Sequence, residues 1–254
     1  MKKLIPCLNL FFLLIVLMNA LLVQAQSQRI RVLVVTGGHE YDTVAFGALF
    51  DSMQGILSYK TVSFPEAFRS FEPEHRKEFD VVVLYQMWQK ITPEQEYNLT
   101  GCFGEGKPLV VLHHSICAFD DWEEYHKITG GRYFHRSDTI DGRIYPVSGY
   151  KHDVRVNIHI ADSTHPVTKD MTDGELMDET YSDFYVEPGV IPLLTTSTPG
   201  SSPVIGWAKT YGGSRVVTLQ PGHDARTFET PWYRKILLRA ILWVNDSGEV
   251  QVLL

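Results

Sequence analysis

Three cysteines in 254 residues, Cys7, Cys102 and Cys117, are too few for a disulfide framework. The fold must therefore rest on a packed core. Basic residues are also in deficit: 23 lysines and arginines against 30 aspartates and glutamates give a formal charge of −7. That balance argues against nucleic acid or an anionic membrane as partner and favours a small neutral ligand. Several signatures are missing from the chain. Without G-x-G-x-x-G or a lysine-bearing P-loop there is no recognisable phosphate cradle, and His39-Glu40 lacks the second histidine of an H-E-x-x-H zinc helix. Ser115 has no G-x-S-x-G around it, so it lacks the strained turn that exposes a serine nucleophile. Internal repeats, low-complexity segments and long linkers are absent too. What remains is an ordinary globular composition, 44% hydrophobic and 21% charged.

The first 25 residues read separately from the rest. Lys2 and Lys3 precede an apolar run at 10–18 that resumes at 20–23 and ends at the small-residue exit Val23-Gln24-Ala25. That is the layout of a secretory signal peptide cut after Ala25, implying a secreted or periplasmic protein with no membrane insertion after cleavage. Cys7 lies before the apolar run, which excludes it as a lipidation site. Losing Lys2 and Lys3 moves the formal charge from −7 to −9. Residues 26–254 are then expected to form a single α/β domain. Cys102 and Cys117 could pair in an oxidising compartment, but apolar Ala118 and Phe119 beside Cys117 favour buried structural thiols.

Period and punctuation alternate between strand and helix. The β-branched run at 29–36 (RIRVLVVT) ends in Gly37-Gly38 and reads as a strand buried on both faces. Further strands are expected at 58–64, 80–85 and 108–112, with helices from about 43 to 53, from Thr92-Pro93 to Gly104, and from Asp120/Asp121 to Gly130. This rhythm implies a parallel sheet with helices on both faces. The second half departs from it: segments within 155–160, 189–196 and 203–209 alternate, and 213–219 is a buried run. These are expected to add mixed or antiparallel strands at the sheet's edge, before a closing amphipathic helix at 231–244 with Ile236, Leu237, Ala240, Ile241 and Trp243 inward.

Ligands of open α/β sheets bind beyond the carboxyl ends of the parallel strands. Three of the four such exits carry histidine: GGHEYD at 37–42, HHS at 113–115 and QPGHD at 220–224, the other being Gln86-Met87-Trp88. Any one of these histidines could be a hydrogen-bonded structural residue; jointly they point to a site.

The ordered set GGHEYD (37–42), PLVVLHHS (108–115), ITGGRYFHR (128–136), HPVTKDM (165–171), DETY (178–181), QPGHD (220–224) and RKILLRAILWV (234–244) resembles the ThuA-like (trehalose utilisation) family, over roughly residues 29–245. The resemblance implies the class I glutamine amidotransferase-like (flavodoxin-like) fold, a three-layer sandwich around a mostly parallel sheet with antiparallel additions in the second half. It also implies a role in the use of trehalose or related disaccharides. Amidotransferases carry a cysteine nucleophile at the strand-to-helix elbow. Here that position holds His113, with Cys117 four residues too late, so glutamine hydrolysis is disfavoured.

The expected site is a histidine-rich mouth acting on a disaccharide or keto-sugar derivative, in hydrolase or lyase-like chemistry. His114, His223 and Glu40 are the candidate catalytic groups, although Glu40 could equally be a solvated first-turn carboxylate. His39, His114 and His223 are the candidate ligands of a divalent metal, zinc by donor type. Tyr41, Trp88, His113, Ser115, Tyr181, Trp207 and Asp224 are candidate substrate contacts, the rings by stacking on sugar faces. Asp178-Glu179 are neighbours in sequence, a poor sign of the facing pair a glycosidase needs. His135 is at most a supporting residue, and His165-Pro166 a turn. Two alternatives stand beside this reading: a non-catalytic sugar-binding protein, and an amidohydrolase that depends on Cys117.

Overall fold

A computed structural model describes residues 29–245. The expected signal peptide at 1–25, with Cys7, lies outside the described residues. Among the described residues no helix is long and apolar enough to cross a membrane.

The elements in chain order are β1 (Ile30–Gly37), α1 (Thr43–Asp51), β2 (Leu57–Ser63), β3 (Val81–Gln86), α2 (Pro93–Gly104), β4 (Leu109–Leu112), α3 (Glu123–Thr129), β5 (Gly131–Arg132), β6 (Asp138–Ile140), β7 (Arg143–Tyr145), β8 (Gly149–Ile160), β9 (Gly174–Ser182), β10 (Tyr185–Val186), β11 (Ile191–Thr195), β12 (Val204–Tyr211), β13 (Ser214–Leu219), α4 (Ala225–Phe228) and α5 (Pro231–Val244). One sheet of nine strands runs β2-β1-β3-β4-β13-β12-β11-β8-β9. The first five strands pair in parallel, in the 2-1-3-4-5 order of flavodoxin-like sheets. From β13 outward every pairing is antiparallel.

The parallel strands are apolar on both faces because both faces are covered. Val32 and Val34 of β1, Val81 and Val83 of β3, and Val110 and Leu112 of β4 pack beneath α1 and α5. Their neighbours Leu33 and Val35, Val82 and Leu84, and Leu109 and Val111 pack on the other side with α2 and α3. Each buried valine or leucine contributes roughly 1.5–3 kcal/mol. The helices begin where their caps say: Asp42 accepts from the amides of Val44 and Ala45, Thr92 forms a capping box with Gln95, and Thr230 accepts from Tyr233 N. In α5 the buried stripe runs through Ile236, Leu237, Ala240, Ile241 and Val244. Trp243 lies at its margin, against His165 and Arg215.

Two parts of the second half differ from expectation. Strand β9 (GELMDETYS) is unforeseen, because Asp178, Glu179 and Thr180 are buried in it, and acidic residues argue against a strand interior on propensity alone. Strand β8 is twelve residues long instead of six and pairs with β9 across a bulge between Lys151 and Val154. The β8–β9 ribbon pairs at the far edge of the sheet, yet its residues 150–152 and 179–181 come back over the carboxyl ends of β4 and β13, where Glu179 and Tyr181 meet His113.

Candidate functional site

At the exit of β4 the chain turns sharply at His113, whose φ is +50°. A side chain other than glycine takes up such a backbone only under constraint, and several contacts supply it. His113 Nδ1 lies 2.7 Å from the carbonyl of Gln220, fixing the ring by donating to it. The opposite nitrogen, Nε2, is 3.0 Å from Glu179 Oε2, 3.1 Å from the Tyr181 hydroxyl and 3.3 Å from His223 Nδ1. The Tyr181 ring stacks on the imidazole with centroids 5.1 Å apart.

Glu179 is the hub. Its Oε2 also faces His223 Nδ1 at 3.4 Å and its Oε1 faces His152 Nδ1 at 3.3 Å. Burial pushes this carboxyl up, but the hydrogen bonds and charges of His113 and His223 outweigh it and hold Glu179 well below the ordinary carboxylate range. In return the hydrogen bond to Glu179 raises His223, against its partial burial. An Nε2 lone pair and a carboxylate oxygen 3.0 Å apart repel unless a positive charge lies between them. The arrangement therefore calls for a proton or a cation at this point.

Asp178 holds the loop that carries His223. Its Oδ1 accepts from the amides of Glu179 (2.7 Å) and His223 (3.0 Å), and its Oδ2 from the amide of Gly222 (2.8 Å) and the Thr227 hydroxyl (2.8 Å). Burial pushes Asp178 up. His113 and the converging donors pull it back only in part. Gly222 has φ of +135°, and a Cβ there would collide with the Tyr233 hydroxyl, so only glycine lets the loop pass.

His114 points elsewhere. Its ring packs against Tyr85 (4.4 Å) and His39 (4.9 Å), and burial, with His113 and His39 beside it, drives its pKa well below the usual histidine value. His114 is neutral at physiological pH. A cleft of about 260 Å³ opens over these groups; His39, His114, His135 and His152 line it with Tyr133, Tyr150 and Met87. His135 Nε2 donates to the carbonyl of Cys117 at 2.8 Å.

Of the expected site residues, His39, His113, His114 and Tyr181 line this cleft, and His223 contacts it through His113 and Glu179. The others do not assemble there. Glu40 is exposed and absent from the cleft wall. Tyr41 packs edge-on against Tyr85 and Phe46 as part of the core. Trp88 is half-buried and packs against the margin of the core, and Trp207 is fully buried, with its indole N–H donating to Thr129 O. Ser115 accepts from the amide of Gln86 and is fully buried. Asp224 caps α4 and binds Arg226. The expected ligand trio is also split: among the described residues, the groups whose ligand atoms lie within 4.8 Å of one another are His113, Glu179 and His223 at the cleft, and Glu72, Glu74 and His75 on the surface. Cys102 and Cys117 are free and buried. Sequence reasoning undervalued Glu179 and Asp178 and missed His152. The available signal was the acidic pair inside DETY at a position where burial requires partners.

A three-layer α/β sandwich of glutamine amidotransferase-like fold with a histidine–carboxylate cluster at its elbow is the class defined by this geometry. The chain belongs to the ThuA family, described as trehalose utilisation, whose model matches residues 31–244. Membership supports a role in carbohydrate utilisation. A ThuA-like protein from Parabacteroides merdae is similar at 18% identity and a TM-score of 0.72, covering 89% of this chain and 93% of that one. One from Bacteroides uniformis has 18% identity and a TM-score of 0.66, covering 87% and 93%. A protein designated a GMP synthase subunit, from Thermoplasma acidophilum, has 12% identity and a TM-score of 0.51, covering 87% and 96%. No curated protein matches this chain.

Proposed function

We propose that this protein is an exported enzyme that binds a disaccharide or keto-sugar derivative at the cleft and moves a proton on it through the Glu179–His113–His223 cluster. The observation that carries this reading is the buried carboxylate of Glu179, held ionised against three imidazoles at the mouth of the parallel strands. His223, raised toward its charged form, suits proton donation to a hydroxyl or glycosidic oxygen. His114, held neutral, suits hydrogen bonding to sugar hydroxyls without a charge cost. Tyr133 and Tyr150 offer rings at the wall. Export after cleavage behind Ala25 belongs to the same proposal and rests on residues 1–25.

The residues also fit a divalent metal. Two imidazole nitrogens and one carboxylate oxygen, from His113, His223 and Glu179, form a donor set suited to zinc. The Gln220 carbonyl on His113 Nδ1 is the outer partner that orients such a ligand. When bound, the metal would supply Lewis acidity and the positive charge that the cluster calls for.

The test is incubation of the full chain with a panel of disaccharides and their keto-oxidised forms, with metal analysis alongside. Turnover of at least one is expected, falling by about 10²–10⁴ in Glu179→Gln. Binding without turnover would make the protein a sugar-binding module. Undiminished turnover in Glu179→Gln would remove the cluster from the chemistry.

A further inference from the structure

The side chain of His114 is 4% exposed, yet among the described residues it makes no hydrogen bond; its ring contacts are with Tyr85, His39 and His113. Its nitrogens are not among the unpaired atoms sealed from all solvent, as His126 Nδ1 and Trp88 Nε1 are, and the residue lines the cleft. A buried polar group left unpaired costs about 1–3 kcal/mol. An imidazole that keeps both an N–H and a lone pair open to a cleft is placed to receive a ligand atom.

The opposite wall offers a different group. Strand β8 carries one extra residue against β9: Lys151 pairs with Thr180 and Val154 with Asp178, so His152 and Asp153 together oppose Glu179. Such a bulge re-aims a side chain. Asp153, at φ +58°, is held by Arg226 Nη2 at 2.7 Å, and the same guanidinium binds Asp224 beside His223. His152 is thereby set over the carboxylate, with Nδ1 3.3 Å from Glu179 Oε1 and, among the described residues, no hydrogen bond at Nε2. An imidazole backed by a carboxylate on one nitrogen and open on the other has the build of a proton acceptor.

We propose that the cleft enolises a neutral ketone or aldehyde: His114 donates its free N–H to the carbonyl oxygen while His152, oriented by Glu179, takes a proton from the adjacent carbon. The C–H electron pair becomes the C=C bond of the enolate, and the C=O pair moves to the oxygen that His114 holds. His152 then returns that proton, or one exchanged with water, to carbon, so the step balances without another reactant. Glu179 is the only acid among the described residues that line the cleft, and imidazoles engage both its oxygens. Glycoside hydrolysis by two flanking carboxylates therefore lacks its second group here. Enolising sites do use a neutral imidazole to polarise the carbonyl, and the ionised Glu179 disfavours an anionic ligand. The inference rests on the proton-moving role proposed above and narrows its substrate to the carbonyl form.

Proton NMR of the full chain in D₂O with dihydroxyacetone, erythrulose or xylulose reads the step as loss of the C–H signal beside the carbonyl, after subtraction of protein-free exchange. At least one ketone is expected to exchange. His114→Phe keeps a ring without an N–H and should slow exchange by about 10²–10³, with His114→Asn recovering part of the loss. His152→Phe, at a half-exposed position that the fold does not depend on, should slow it by about 10²–10⁴. No exchange by wild type with any of the ketones, or a wild-type rate in either phenylalanine variant, overturns the proposal. So does His114→Asn as slow as His114→Phe, which would assign the loss to packing. Turnover of the sugar panel that falls in Glu179→Gln, with no ketone exchange, refutes enolisation alone; ketone exchange without turnover of any panel sugar refutes the sugar reading alone.

Discussion

Asp178→Asn probes how the His223 loop is held. The carboxylate is 1% exposed and takes two donors on each oxygen, among them the amides of Gly222 and His223. An asparagine keeps one acceptor and turns an NH₂ group toward two of those donors. Each hydrogen bond to a charged group contributes about 1.5–3 kcal/mol, so two lost bonds amount to about 3–6 kcal/mol. Removing a buried charge returns part of that, and the Thr227 hydroxyl can swing to the carbonyl of Met177, 3.1 Å away. The net loss is therefore about 2–4 kcal/mol, a fall in melting temperature of roughly 5–15 °C for a chain of this size. Urea unfolding of wild type and variant measures it directly, and sugar binding at the cleft should weaken in parallel as His223 drifts. A variant within about 0.5 kcal/mol of wild type, binding as before, would refute the idea that Asp178 anchors this loop.

Stability should depend on pH through two histidines, with opposite signs. His126 is neutral in the fold down to about pH 4, so below about 6.5 the unfolded chain takes up a proton that the native state refuses; about 3 kcal/mol is lost as pH falls across that window, and urea curves of His126→Leu should be flatter there. His223 is raised by Glu179, so its contribution is full below the unfolded value of about 6.5 and lost as pH rises through the raised one, a slope that His223→Ala should abolish. Cys117→Ser should leave turnover unchanged, because burial pushes that thiol well above its ordinary value and out of its reactive form; loss of activity would revive the amidohydrolase alternative. Thr92→Ala removes the capping box of α2 and should cost about 1 kcal/mol in thermal unfolding.

The parallel half of the sheet was legible because its strands are β-branched runs with glycine, proline or capping residues between them. β1, β3, β4 and α5 fall within a residue or two of expectation. The histidines at 39, 113, 114 and 223 could be located for the same reason: strand exits in such a sheet converge. Which of them works with which could not be read. The turn at His113 sends its ring toward Glu179 and the ring of His114 toward Tyr85 and His39, so the two neighbours face different partners. The β8–β9 ribbon was illegible for a different reason. Its inward acids look like surface residues until their partners are known, and those partners lie 66 and 44 positions away, at His113 and His223. Trp207 shows the reverse error, since a ring in a strand fills the core as readily as it meets a ligand.

The return of the β8–β9 ribbon over the mouth has a mechanical consequence. Glu179 and His152 reach the centre of the sheet from its outermost strands, so the cleft acts as a clasp between the first strands of the chain and the last pairing of the sheet. Whatever bridges His113, Glu179 and His223 fastens that clasp. Occupancy then adds to the stability of the whole sheet in proportion to the logarithm of ligand concentration over its dissociation constant. Hydrogen exchange along 149–160 and 174–182 becomes a gauge of ligand binding, slowing in step with occupancy beyond the cleft residues Tyr150, His152, Glu179 and Tyr181 themselves.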